Sequence, residues 1–140
     1  MSHGEGFLEI LLSHTGKGLY LMDEPESALS TQRQLTLLEH MYRMANDGSQ
    51  FIIATHSPIL LGLPDAEILS FDENGVHPCD YEDTDSYQIT RVFINHRESL
   101  LRHLLGNETC DEVKRLRVFA MMFDWRLKEH ERLEVSRHGD

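Results

Sequence analysis

The chain has 140 residues, 40% of them hydrophobic and 26% charged, with a formal net charge of −11. That is the profile of one soluble globular domain with a real core, and no apolar run approaches the roughly 20 residues a membrane helix needs. The charge is uneven: residues 1–109 hold 17 acids and 6 bases, whereas residues 110–140 hold 7 of each. Such an acidic body lacks the Lys and Arg that phosphate-backbone binding draws on, which argues against direct nucleic-acid contact. It is compatible with a nucleotide, whose charge Mg²⁺, backbone amides and a few residues can meet. No basic stretch followed by an apolar core opens the sequence, so no secretory signal is expected. Cys79 and Cys110 form no close pair, which fits a thiol-containing cytoplasmic protein and leaves one disulfide open.

In chain order, Met1-Ser2-His3-Gly4-Glu5-Gly6 leads into Phe7, Leu8, Leu11 and Leu12, a helical spacing. Ser2 stands just before that helix start. There it serves either as an ordinary N-cap or, with the free amides, as part of an anion site. The helix is expected to end between Ser13 and Gly18. Gly16-Lys17 invites a P-loop reading and fails it, because Leu11 stands where the first glycine belongs and Gly18 where Ser or Thr belongs.

Leu19-Tyr20-Leu21-Met22 then runs into Asp23-Glu24-Pro25. A short continuous apolar run predicts a strand buried on both faces of a parallel sheet. Charge is expensive inside such a strand, so Asp23 and Glu24 belong at its carboxyl end, where α/β sheets bind ligands. Two carboxylates there suit a divalent cation and a water, with Asp23 as a Mg²⁺ ligand and Glu24 as a base. A solvated acidic turn is the plain alternative.

After Glu26-Ser27-Ala28-Leu29, Ser30 is a good N-cap for a helix whose face reads Leu35, Leu38, Met41, Tyr42 and Ala45, with Gly48 as its stop. Gln50 to Thr55 is a second β-branched apolar run ending at His56-Ser57-Pro58. If the two strands are parallel neighbours joined by that crossover helix, His56 lands beside Asp23-Glu24. There it is a candidate sensor of a terminal phosphate or of the attacking water. Ala66 to Phe71 reads as a third strand, Asp72-Glu73-Asn74-Gly75 as a hairpin turn and Val76 to Cys79 as its return strand. Asp83-Thr84-Asp85 follows no apolar strand and reads as a helix-start loop rather than a metal-binding pair. Asp85 with Gln88 resembles a capping box, and Asn95-x-x-Glu98 restarts a helix that Gly106-Asn107 ends. Thr109-x-x-Glu112 is another capping box. It opens a stripe of Val113, Leu116, Ala120, Phe123 and Leu127 at heptad spacing, which either packs on its own domain or meets a partner. Residues 129–140 are charged and read as a frayed end.

Taken together, Ser2-x-Gly4-Glu5, Asp23-Glu24-Pro25, Ser27-Ala28-Leu29-Ser30 and His56 strongly resemble the C-terminal half of an ABC-type ATPase core. The likeness is to the small soluble bacterial AAA family ATPases rather than to a transporter. It implies an α/β fold: the C-terminal portion of a three-layer P-loop NTPase with a mostly parallel sheet, plus C-terminal helices. Residues 1–78 would be the partial core, 79–109 a helical extension and 110–140 an amphipathic, charged C-terminal helix.

The resemblance also implies roles. Ser2, Gly4 and Glu5 match the signature motif, which would touch the γ-phosphate of ATP held by another subunit; His3 replaces the glycine usual in transporters. Asp23 would hold Mg²⁺ and Glu24 would be the catalytic base. Ser27 to Ser30 match the D-loop at a homodimer interface, with Ser30 where transporters usually have Asp. His56 matches the switch histidine. The family's P-loop and glutamine loop precede the signature motif, and this chain starts inside that motif. The expectation is therefore an ATP-hydrolysing half whose N-terminal half is missing, inactive alone. The alternatives are a non-catalytic remnant or interaction module and, less favoured by the acidic balance, a metal-dependent nuclease.

Overall fold

A computed structural model describes residues 3–106, with residues 3–5 as backbone only. Ser2, Cys110, the Thr109–Glu112 capping box, the stripe from Val113 to Leu127 and the charged end lie outside the described residues. The elements run α1 (His3–Ser13), β1 (Leu19–Asp23), a 3-10 turn (Pro25–Ala28), α2 (Thr31–Asn46), β2 (Gln50–Ala54) and a second 3-10 turn (Leu60–Gly62). Then come β3 (Leu69–Asp72), β4 (Gly75–Pro78), a third turn (Tyr81–Asp83), α3 (Asp85–Asn95) and α4 (Arg97–Leu105).

β1 and β2 pair in parallel, Leu19 opposite Gln50 through Asp23 opposite Ala54, as the crossover spacing predicts. The core lies on one face of this pair. Leu8 of α1, Leu37 and Met41 of α2, Leu29 and Leu60 are buried together, and Met22, Phe51 and Ile53 pack against them from the sheet. Tyr20 stacks on Phe51 with ring centroids 5.1 Å apart. The helices therefore cover the even-numbered residues of β1 and the odd-numbered ones of β2.

The opposite face overturns the reading of β1 as buried on both sides. Leu21 is 71% and Ile52 62% exposed, and Leu19 is exposed beside them. The cause is the sheet's extent: it has two strands, and both helices sit on the same side of it. The third strand does not join this sheet either. β3 pairs with β4 as a separate antiparallel hairpin, Leu69 opposite Pro78 through Asp72 opposite Gly75. Among the described residues the fold is thus mixed α/β with a short parallel sheet, and the three layers of a complete NTPase are not present. An apolar sheet face open to solvent is the sign of surface that something else normally covers.

α2 starts as its sequence predicts, since the Ser30 side chain accepts the Arg33 amide at 3.3 Å. Its buried face is rotated from the expected one. Leu37, Met41 and Met44 are buried, Leu38 is partly buried, and Leu35, Tyr42 and Ala45 are exposed. Both stripes have helical spacing, and the position of α1 and the sheet selects between them. α3 is capped by Thr84, whose hydroxyl accepts the Tyr87 amide at 3.3 Å, one residue before the expected Asp85.

Gly48 ends α2 with φ +96°, a conformation open to glycine. The Gly48 amide donates to Ala45 O and the Ser49 amide to Met44 O. The atoms nearest a Cβ at Gly48 would be those of the Lys17 side chain, at 3.7 Å or beyond, so the cost of a substitution there is in the backbone. Gly48→Ala is expected to lower stability by roughly 1–2 kcal/mol. Gly16→Ala, in open space and at ordinary φ, should be near neutral. Urea midpoints compare them; equal midpoints would show that the helix stop does not depend on glycine.

Candidate functional site

β1 and β2 end side by side. Asp23 is opposite Ala54, and the pairing continues one residue further, with the Glu24 amide donating to Ala54 O at 2.8 Å. Glu24 then takes a left-handed backbone, φ 44° and ψ 54°. The turn that follows starts with Pro25, whose ring is fully buried. Bulky residues rarely hold that conformation, and where they do it tends to mark a functional site. The bend lifts the Glu24 side chain out of the strand, leaving it about half exposed.

His56 lies just beyond β2, and its Nε2 is 3.6 Å from Glu24 Oε1. Both side chains are open to solvent, the imidazole being 85% exposed. An ion pair so exposed contributes little stability, so the juxtaposition is not explained by folding. Asp23 is exposed at the same end. The structure thus brings Glu24 and His56 together and leaves Asp23 at the same strand end.

Gly4 and Glu5 belong to the first turn of α1, Ser30 is engaged as the N-cap of α2, and Ser2 is outside the described residues. No three His, Cys, Asp or Glu side chains among the described residues cluster so as to hold a metal ion, Asp83 and Asp85 included. The donor chemistry of Asp23 and Glu24 nevertheless suits Mg²⁺. That ion takes hard oxygen ligands and is usually held by one or two carboxylates with waters and substrate phosphates.

Sequence reasoning missed the groups that build the turn around His56. Glu26 Oε1 accepts the His56 amide at 2.8 Å, and Thr55 Oγ1 accepts the Ser57 amide at 3.0 Å. Ser57, buried, accepts the amides of Ile59 and Leu60 at 3.2 Å each and donates to Gln34 Oε1 of α2. The Ser57-x-x-Leu60 spacing at a turn start was the available signal for Ser57. Glu26 pairs across 30 residues of sequence, which no local pattern reveals. Its carboxyl lies below the ordinary value. Burial pushes it up, and this is outweighed by hydrogen bonding from the His56 amide, its own amide and the Thr55 hydroxyl, with the His56 charge adding to them.

Residues 6–62 match a family model described as "AAA domain, putative AbiEii toxin, Type IV TA system". The matched span includes Asp23, Glu24, Glu26, Ser30 and His56 and begins after Ser2, Gly4 and Glu5. It supports an AAA-type P-loop ATPase family at a coarse level, and with it a nucleotide-binding, ATPase-like function. Neither the curated proteins nor the solved structures gave a match to the chain. No helix among the described residues is long and apolar enough to cross a membrane.

Proposed function

We propose that this chain supplies the hydrolytic half of an ATP-hydrolysing site, with Glu24 as the base, His56 as the group that orients the attacking water or terminal phosphate, and Asp23 as the residue that holds Mg²⁺. The observation that carries the reading is the meeting of two strand ends: Glu24, bent out of β1 by a left-handed backbone, stands 3.6 Å from the imidazole beyond β2. The match of residues 6–62 to an AAA domain supports it. In this reading Glu24 takes the proton of a water as it attacks the terminal phosphorus, and the leaving ADP departs in line. Mg²⁺, when bound, would supply charge neutralisation to the phosphates.

The reading extends to an ABC-type arrangement, in which Ser2, Gly4 and Glu5 face the nucleotide of a second copy and Ser30 lies at the shared interface. Residues 1–78 would be the core, 79–109 a helical extension and 110–140 a C-terminal helix. No P-loop pattern occurs in the 140 residues, so the phosphate cradle has to come from another polypeptide segment. The purified chain titrated with Mg-ATP in a calorimeter should therefore give no saturable heat and no turnover. Glu24-dependent hydrolysis by the isolated chain would overturn the half-site reading.

A second reading, an interaction module without catalysis, is favoured by one observation. The Leu19, Leu21 and Ile52 face of the sheet is apolar and open. It needs neither Glu24 nor His56, and so separates from the first by their substitution.

A further inference from the structure

The turn that presents His56 is held by side-chain oxygens. The amides of Ser57, Ile59 and Leu60 go to Thr55 Oγ1 and Ser57 Oγ, inside the turn itself. The His56 amide differs, because it donates to Glu26 Oε1, which belongs to the 3-10 turn following Glu24. Three bonds therefore tie the strand ends together at this point, one of them from the Thr55 hydroxyl to the Glu26 carboxyl. Glu24 N to Ala54 O is main chain and indifferent to sequence. His56 N to Glu26 Oε1, at 2.8 Å, exists only because residue 26 carries a side-chain acceptor oxygen. An amide bonded to a carboxylate makes a shorter and stronger link than one bonded to a neutral acceptor.

The carboxylate is not there for solvation. Glu26 is partly buried, and its Oε2 is enclosed without a hydrogen-bond partner. Enclosing a carboxylate oxygen in this way is costly, and a surface loop could satisfy one amide with water instead. What the carboxylate adds is rigidity between two segments: the one that carries Glu24 and the one that carries His56.

We infer that Glu26 is a positioning residue for His56, its Oε1 fixing the His56 peptide so that the imidazole is held against Glu24. The inference rests on the reading of Glu24 and His56 as the reacting pair. Removing the Glu26 side-chain acceptor frees His56 while the main-chain bond leaves Glu24 in place.

The test is nuclear magnetic resonance on the full 140-residue chain, unaltered and as Glu26→Gln and Glu26→Ala. In the unaltered chain the His56 amide proton should shift as acid protonates Glu26, with a midpoint below the usual 4.5, the direction set by the causes above. Because the folded value is lowered, the charge-assisted form of the link is complete above about pH 4.5 and gives way to a weaker bond to the neutral carboxyl as pH falls through that midpoint. Glu26→Gln retains an acceptor oxygen. It should keep the Overhauser contact between the His56 ring and the Glu24 side chain while abolishing the acid transition. Glu26→Ala should lose that contact and speed exchange of the His56 amide roughly tenfold or more, with the Leu37 amide still protected.

An unchanged ring contact and exchange rate in Glu26→Ala would overturn the inference. So would loss of that ring contact in Glu26→Gln, which retains the acceptor oxygen, and this outcome decides the matter even if Glu26→Ala does not fold. These readouts involve no nucleotide. If they hold while ATP turnover proves absent from the native assembly, the ATPase reading falls and the Glu26 link stands; the reverse pattern removes the link alone.

Discussion

Leu37→Ala should cost the chain roughly 2–5 kcal/mol, a large part of the 5–15 kcal/mol that holds an ordinary domain together. Leu37 is 0% exposed and stands at the centre of the only sizeable apolar cluster among the described residues, between Leu8, Met41 and Leu60. A covered sheet face would spread the loss over several layers. Here α1 and α2 rest on one face of two strands, so a cavity beneath α2 has few neighbours able to close it. Leu35→Ala is the matched control. It removes the same atoms from the same helix, but Leu35 is 49% exposed, and its loss should cost less than about 1 kcal/mol. Urea unfolding followed by far-ultraviolet circular dichroism compares the two. A larger loss at Leu35 than at Leu37 would mean that α2 presents the face its apolar spacing first suggests, with Leu35 inward.

That pair of residues shows where sequence reasoning succeeds and where it stops. The start of α2 at Ser30, its end at Gly48, both parallel strands and the β3–β4 hairpin were legible. Each depends on a residue's own conformational preference or on hydrogen bonds within a few positions. The orientation of α2 was not, because Leu35 and Leu38 and Leu37 and Met41 are both acceptable helical spacings, and only the tertiary neighbours choose. β1 failed for a related reason. Leu19 and Leu21 are apolar as a strand buried on both sides requires, and composition carries no record of whether the second face has its partner. The site divides in the same way. The meeting of Glu24 and His56 could be placed because strand ends and one crossover determine where they lie. The Glu26 to His56 bond could not, because it needs the distance between two turns 30 residues apart.

The two halves of the argument meet at Glu24. A residue chosen for stability alone would not be a glutamate with φ 44°, since that conformation costs a non-glycine residue about 1–2 kcal/mol. Glycine there would relieve the strain, and Glu24→Gly is expected to stabilise the chain by about 1 kcal/mol in urea unfolding. The same change removes the carboxylate that faces His56. Stability and chemistry therefore make opposite demands on this one position, the pattern of a site where strain is retained for function. Glu24→Gln separates them, because it preserves the side-chain length and the backbone strain and removes only the basic oxygen. In the native assembly that carries the phosphate cradle, Glu24→Gln should slow ATP turnover by roughly 10²–10⁴-fold and leave ATP binding intact, read as single-turnover hydrolysis beside equilibrium binding. Turnover that survives the substitution would put the base elsewhere and take the ATPase reading of Asp23, Glu24 and His56 with it. Loss of binding together with turnover would make Glu24 a binding residue rather than the base.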